Sequence, residues 1–136
     1  MFVTVFYGIL DPRTGQLTYC NAGHNPHCIL RVEDRQIQTL SKTGMALGAM
    51  PGVSWEQRAV HLARGDMLVL YTDGVTDAHN EGGAFFDQER LLDVVQAYAG
   101  RPAHEVRDNL LRAVQRFTGE ASQFDDITLV IAVRDA

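Results

Sequence analysis

Apolar and polar residues alternate in short runs over the first half of the chain. Polar turns separate the runs, and their lengths and alternation are typical of β-strands. The predicted strands cover residues 2–10, 16–22, 27–32, 36–40, 55–62 and 67–71. We expect them to form a meander of antiparallel strands. The first run is almost wholly apolar, which predicts a strand buried on both faces.

The pattern changes after residue 83, where the apolar period lengthens from two to about 3.6 residues. One apolar stripe predicts a helix that Asp87 caps and that Gly100 ends. A second helix begins at Pro102 and ends near Gly119. We therefore expect two helices, each packing one apolar face on a sheet.

A last apolar run at 127–133 predicts a strand that returns to the sheet. Antiparallel strands, two helices and a returning strand predict an α+β fold. With 46% hydrophobic and 21% charged residues, positions 1–136 fit a single domain.

The charge and the hydropathy limit the function classes. The formal net charge is −5, and basic residues are scattered among acidic ones, which argues against a nucleic-acid partner. No run approaches the roughly 20 apolar residues that cross a bilayer. The apolar start lacks the basic region and the cleavage site of a signal peptide. We therefore expect no membrane partner for this segment and a cytoplasmic location.

Two cysteines and two histidines surround one predicted turn. Cys20 and Cys28 bracket His24 and His27, so a zinc site is one interpretation. Against it, His27 and Cys28 are adjacent and point to opposite faces of an extended chain, and the cysteines do not form a C-x-x-C pair. A disulfide is a second interpretation, with little support from a composition of cytosolic type. A turn built by the asparagines, glycine and proline at 21–26 is favoured.

Two acidic turns carry the candidate chemistry. Residues 72–77 read Thr-Asp-Gly-Val-Thr-Asp after one strand, and residues 124–128 read Phe-Asp-Asp-Ile-Thr before another. Carboxylates on loops at the ends of rigid strands can converge without ordering a flexible segment. The alternatives are a simple hairpin turn at 73–74 and full solvation of the two adjacent carboxylates at 125–126.

Convergence of the two turns would create a site of hard oxygen ligands. Such ligands favour Mg²⁺ or Mn²⁺ over zinc. Two such ions about 3.5–4 Å apart activate water and neutralise charge on a phosphoryl group. The expected chemistry is hydrolysis of a phosphate ester, and no covalent nucleophile stands out.

Four segments resemble the PPM metal-dependent serine/threonine phosphatases, in the branch of stage II sporulation protein E and the RsbU-like regulators of bacterial sigma factors. The segments are 2–11, 17–26, 65–78 and 124–130, and they follow the order of the family. The resemblance implies a PPM-like α/β/β/α sandwich of antiparallel sheets with two C-terminal helices. It also implies a two-metal centre of Mn²⁺ or Mg²⁺ that hydrolyses phosphoserine or phosphothreonine on a regulatory phosphoprotein, such as an anti-sigma-factor antagonist.

The resemblance also implies roles for individual residues. By position in the motifs, Asp73 and Asp125 are metal ligands and catalytic residues. Gly74 allows the turn, and Asp126 supports the ligands as part of the cofactor-binding set. Asp77 also matches its motif. Three further motif residues have an implied structural role: Thr72, Asn21 and His24.

One motif of the family has no counterpart in these residues. The family supplies another metal-bridging aspartate from a Gly-Asp-x-x-Gly-x-Gly-like segment upstream of the strand that begins here at Met1. We therefore expect the chain to be the C-terminal portion of the phosphatase domain, with an incomplete two-metal site. Even the loss of a residue that only supports metal ligands typically costs about 10–100-fold, so weak or no activity is expected from the chain alone.

A partial domain leads to one further expectation, which concerns self-association. Uncovered sheet edges would favour a homo-oligomer. The alternative function is that of a non-catalytic, degenerate phosphatase domain that binds a regulatory partner.

Overall fold

The chain forms two antiparallel sheets and a helical layer. The computed structural model describes residues 1–121 and 126–135. The elements in that part of the chain are β1 (Val5–Leu10), β2 (Gln16–Ala22), β3 (His27–Leu30), β4 (Ile37–Leu40), β5 (Arg58–His61), β6 (Met67–Tyr71), α1 (Asp73–Thr76), α2 (Asp87–Ala97), α3 (Ala103–Thr118) and β7 (Leu129–Val133).

Three strands form the first sheet, in the order β1-β2-β5, and four form the second, in the order β4-β3-β6-β7. All neighbouring strands are antiparallel. The last strand pairs with β6 from Met67 opposite Val133 to Tyr71 opposite Leu129. The predicted return of the chain to the sheet is therefore confirmed, and β6 lies between two partners.

The second sheet separates two cores. Because side chains alternate along a strand, Leu68 of β6 packs with Leu17 of the first sheet, while Val69 packs with the apolar stripes of α2 and α3, including Leu91 and Leu110. The described layers are thus sheet, sheet and helices. This confirms the α+β class, the two antiparallel sheets and the two C-terminal helices.

The prediction that the first strand is buried on both faces is wrong. β1 is an edge strand, and its Tyr7 and Ile9 are 64% and 60% exposed. Phe6, on the alternate face, packs into the core between the sheets. An unbroken apolar run therefore does not show whether another layer covers the second face.

The predicted meander is also wrong, because the chain changes sheets three times. It crosses from the first sheet to the second between β2 and β3, returns to the first at β5, and crosses again before β6. The turn at 64–66 therefore joins two layers and does not close a hairpin. Local alternation predicts strands but does not identify their partners.

The helix ends differ slightly from the prediction. Asp87 does not precede α2 but begins it, and its Oδ1 accepts a hydrogen bond from the N–H of Gln88 at 2.7 Å. Gly119 follows α3 as predicted. The short helix α1, within the first acidic turn, was not predicted.

In the described part of the chain, no helix combines the length and the hydropathy that a membrane span requires.

Candidate functional site

The strand β6 gives the first acidic turn a rigid base. Tyr71, its last residue, is buried, and its hydroxyl donates to the carbonyl of Pro26 at 2.8 Å and accepts from Gln88 Nε2 at 3.2 Å. Burial is the main cause that raises the pKa of Tyr71 to about 12, so the hydroxyl keeps its proton. Asp73 begins α1 only two residues later. The backbone that leads into Asp73 is therefore held by β6, which is paired on both sides.

Two threonines join the first acidic turn to the start of the last strand. The N–H of Thr72 donates to the carbonyl of Thr128 at 3.1 Å. The N–H of Thr128 donates in return to the Thr72 hydroxyl at 3.1 Å, and this hydroxyl lies 3.4 Å from the carbonyl of Asp126. These bonds continue the pairing of β6 with β7 and carry residues 126–128 to the first turn.

Gly74 is the point of direct contact between the two turns. A Cβ atom on Gly74 would lie 2.0 Å from the carbonyl oxygen of Asp126 and 2.7 Å from its carbonyl carbon. Real Cβ atoms do not approach other atoms so closely. Gly74 lies in α1 and is not among the glycines of positive φ. Glycine is therefore required at this position by the close approach of Asp126. An unusual backbone conformation is not the reason.

The two turns share a cavity of about 360 Å³. Asp73 and Asp126 both line it, and both are exposed. The other described lining residues are Thr4, Gly23, His24, Asn25, Thr72 and Thr128. The site therefore offers carboxylate and hydroxyl oxygens to a ligand, with one imidazole at its border.

A buried asparagine holds the wall of this cavity that His24 provides. The Oδ1 atom of Asn21 accepts from the N–H of His24 at 2.8 Å, and its Nδ2 donates to the carbonyl of Leu40 at 3.1 Å. Asn21 is fully buried. It therefore ties the end of β2 in one sheet to the end of β4 in the other, which agrees with the structural role that the sequence analysis gave it.

The ring of His24 is fixed as well. Its Nδ1 lies 3.1 Å from the carbonyl oxygen of Asn25. A carbonyl can only accept, so Nδ1 carries the hydrogen of this bond. The resemblance implied only a structural role for His24, and nothing in the spacing of His24, Asn25 and Thr4 indicates that they meet the acidic turns.

His27 is buried beside the cavity. Its Nδ1 accepts from the N–H of Tyr71 at 3.3 Å, and its ring contacts Phe6 edge to face at 4.6 Å between centroids. Burial first, and the neighbouring His24 second, lower the pKa of His27 from 6.5 to about 4. His27 is therefore neutral at pH 7.

The zinc and disulfide interpretations find no support. Cys20 and Cys28 are both free thiols, and burial raises the pKa of Cys28 to about 12. Cys28 packs in the core on the helical side of its sheet, whereas the neighbouring His27 contacts Phe6 of the other sheet. Within residues 1–121 and 126–135, no three or more histidine, cysteine or acidic side chains are close enough together to hold a metal ion.

The structure thus brings Asp73, Gly74 and Asp126 together. It does not describe the second predicted metal ligand. Asp125 lies outside the described residues. The oxygen donors of the described site are of the kind that Mg²⁺ and Mn²⁺ prefer. The described donors are of the chemical type that such an ion binds, but the described residues contain no group of three or more potential ligands.

Comparison with known proteins identifies relatives over nearly the whole chain. Residues 1–135 match the family model described as stage II sporulation protein E. Protein IcfG of Synechocystis sp. (strain ATCC 27184 / PCC 6803 / Kazusa) is 36% identical over 135 residues, which cover 99% of this chain and 21% of that protein. Phosphoserine phosphatase RsbU of Bacillus subtilis (strain 168) is 31% identical over 134 residues, which cover 98% of this chain and 39% of RsbU. The chain therefore spans about a fifth and about two fifths of these relatives.

A solved structure has the same fold. The SiaA-PP2C domain of Pseudomonas aeruginosa superimposes with a TM-score of 0.82 at 26% sequence identity. The match covers 98% of this chain and 52% of that one. The arrangement of the two sheets and the helices is therefore that of a PP2C-type phosphatase domain.

Proposed function

The chain belongs to the stage II sporulation protein E family, and from that premise we propose that it is a Mn²⁺- or Mg²⁺-dependent phosphatase acting on phosphoserine or phosphothreonine of a regulatory protein. The contact of Gly74 with the carbonyl of Asp126 is the observation that carries the proposal, because it brings both acidic turns to one cavity. The name of the relative RsbU, a phosphoserine phosphatase, supports the substrate class.

The proposed metal ligands are Asp73 and Asp125, with Asp126 supporting them. A bound Mn²⁺ or Mg²⁺ supplies an activated water and neutralises charge on the phosphoryl group. The remaining work belongs to the chain. Thr72 and Thr128 hold the two acidic turns in register through their reciprocal hydrogen bonds. Gly74 lets the turns approach each other, and Asp73 and Asp126 line one cavity.

The substrate's identity and the activity of the 136 residues alone are two further parts of the proposed function. We propose that the substrate is a phosphorylated regulator such as an anti-sigma-factor antagonist, in the cytoplasm. We also propose that the 136 residues by themselves are weakly active, because the family resemblance implies a further metal-bridging aspartate that none of the matched segments supplies.

The decisive experiment measures metal binding apart from turnover. Binding of Mn²⁺ is followed by electron paramagnetic resonance, and hydrolysis of a phosphoserine peptide is followed in parallel. We expect Asp73→Asn to weaken Mn²⁺ binding at least tenfold, since it removes a charged ligand. The control is Asp93→Asn, an exposed carboxylate on α2, which should bind Mn²⁺ as the unmodified chain does.

The outcomes separate the two functions considered. Equal Mn²⁺ binding by Asp73→Asn and the unmodified chain would remove the assigned ligand role. If Mn²⁺ binds through Asp73 but no phosphopeptide is hydrolysed, even when upstream family segments are supplied, the non-catalytic regulatory domain becomes the better description.

A further inference from the structure

A second cavity, of about 370 Å³, lies at the other end of the strands from the acidic site. It forms where β6 begins and β7 ends, whereas the acidic turns lie where β6 ends and β7 begins. Its described lining includes three arginines, Arg13, Arg64 and Arg134, and one carboxylate, Asp135. In a chain of net charge −5, this concentrates positive charge at one place.

Arg134 fixes the geometry of this cavity. Its guanidinium donates to the carbonyl of Leu62 at 2.7 Å and to the carbonyl of Arg13 at 3.1 Å. Its backbone carbonyl accepts from the N–H of Gly65 at 2.7 Å. One residue therefore holds the backbones at Arg13 and next to Arg64, and the three arginines come from chain positions that are far apart in sequence.

The described carboxylates balance this charge only in part. Among the described residues, no acidic side chain lies within 4.0 Å of the guanidinium of Arg64 or of Arg134. Arg13 reaches Asp11 at 3.9 Å, but both side chains are exposed, so this pair is weak. Like charges held together favour binding of an anion.

The remaining walls are apolar. They are formed by Leu10, Pro12, Leu62, Ala132 and Val133. A cavity of this volume, with apolar walls and a few charged groups, is typical of sites for small molecules. The apolar surface would contact the body of a ligand while the guanidinium groups contact its charged head.

We propose that this cavity binds a small organic oxyanion, a molecule with a carboxylate, sulfonate or phosphate head and an apolar body. The guanidinium groups of Arg13 and Arg64 bind the oxyanion, and Arg134 is the positioning residue that holds their backbones. The site is separate from the acidic cavity, so the proposal does not depend on the proposed phosphatase activity.

The test uses phenylphosphonate, which carries an oxyanion on an apolar ring and cannot be hydrolysed as a phosphate ester. Metal is removed with EDTA, the EDTA is removed by dialysis, and the protein is then titrated and followed by ¹H–¹⁵N NMR. We expect the largest shift changes at 13–15, 62–65 and 132–135. Benzyl alcohol, an uncharged probe with the same ring, should bind more weakly, because it lacks the head group.

Variants assign the binding to the arginines. The double variant Arg13→Gln/Arg64→Gln removes two exposed charges and should weaken phenylphosphonate binding about tenfold or more, as expected for lost charged hydrogen bonds. Arg116→Gln, an exposed change on α3, is the matched control and should bind as the unmodified chain does. Unchanged melting temperatures show that each variant is folded.

Two results would overturn the proposal. One is the same affinity in the double variant and the unmodified chain. The other is a set of shift changes that lies at the acidic cavity or spreads over the surface without saturating. Arg134→Gln is not the primary test, because losing its two carbonyl contacts should also destabilise the fold.

Discussion

At the scale of single residues, Gly74 is the most sensitive position of the candidate site. In Gly74→Ala the new methyl group would overlap the carbonyl of Asp126, so one of the two turns must move. We expect the free energy of unfolding to fall by about 1–3 kcal/mol, as for other overpacked sites, although alanine is the better helix former. Urea unfolding measures this loss, and Mn²⁺ binding should weaken with it.

The chain offers a matched control for this substitution. A Cβ atom on Gly82 would meet nothing closer than 3.4 Å, and Gly82 does not have a positive φ. Gly82→Ala should therefore change the free energy of unfolding by no more than about 0.5 kcal/mol. Equal behaviour of the two alanine variants would contradict the contact between the turns.

His27 makes stability depend on pH in a defined window. The folded protein keeps this ring neutral down to about pH 4, whereas a histidine of the unfolded chain binds a proton near pH 6.5. Between these values the unfolded state binds more protons, so the free energy of unfolding should fall as the pH is lowered from 6.5 to 4. One proton corresponds to a slope of at most about 1.4 kcal/mol per pH unit.

Urea unfolding at several pH values tests this expectation. His27→Gln keeps an acceptor for the N–H of Tyr71 and should flatten the slope between pH 6.5 and 4. His104→Gln, an exposed change on α3, should leave the slope as it is. A slope that persists in His27→Gln would assign the effect to another group.

At the scale of elements, one ion pair joins the ends of β3 and β6, neighbours in the second sheet, at the end that lies away from the acidic turns. Asp66 is buried, and its carboxylate accepts from Arg31 at 2.8 Å and from the N–H groups of Val32 and Ala63 at 3.0 and 2.8 Å. Burial acts to raise the pKa of Asp66, but these hydrogen bonds outweigh it and hold the pKa below 3.8. Asp66 therefore stabilises the fold above that pH, and this contribution is lost as the pH falls through the lowered pKa.

Removing this charge should destabilise the fold at neutral pH. We expect Asp66→Asn to lower the free energy of unfolding by about 2–4 kcal/mol, near the lower end for a broken buried pair, because the Arg31 side chain keeps 27% of its exposure. Asp108→Asn changes an exposed carboxylate beside Arg107 and should leave the unfolding midpoint where it is. Similar midpoints for both variants at pH 7 would refute the structural role of the Asp66 pair.

The elements themselves were largely predictable. The strands at 16–22 and 67–71 begin and end where the sequence predicts, because polar turns bound each apolar run. The ends of β5 and β7 were predicted less well, since apolar residues such as Trp55 and Ile127 continue the pattern beyond the paired backbone. Backbone pairing depends on the neighbouring strand, and the sequence pattern reports only burial.

At the scale of the whole molecule, the first sheet has an uncovered face. Tyr7 and Ile9 of β1 are exposed on it, and self-association through this sheet stays a prediction. Sedimentation velocity at increasing concentration should show a dimer or larger species. Tyr7→Lys/Ile9→Lys should shift the equilibrium toward the monomer, because charged side chains oppose association at an edge strand.

A control separates this surface from general hydrophobic adhesion. Phe85 is 58% exposed in the loop before α2, so Phe85→Lys removes an exposed apolar side chain elsewhere. It should leave the association unchanged. A monomer at every concentration tested would end the prediction of a homo-oligomer.

The resemblance implied a chemistry for the candidate site, but it did not indicate every residue that lines the cavity. Asp73 and Asp126 were identifiable because they lie in acidic turns beside apolar strands, and the family resemblance implied their roles. His24 and Thr4 line the same cavity without any signal in their spacing. His24 lies where the chain changes sheets after β2, and Thr4 precedes Val5, which pairs with Ala22 at the end of β2. Both positions depend on contacts between separate segments.

The sequence by itself determined the strands, the two long helices, the acidic turns and the family, because periodicity, turn chemistry and motif order are local properties of a chain. Only the tertiary structure decided which strands pair, that β1 keeps one face uncovered, and that the carbonyl of Asp126 lies against Gly74. These features arise from contacts between residues far apart in sequence. Such contacts depend on how layers pack together, and no single segment carries that information.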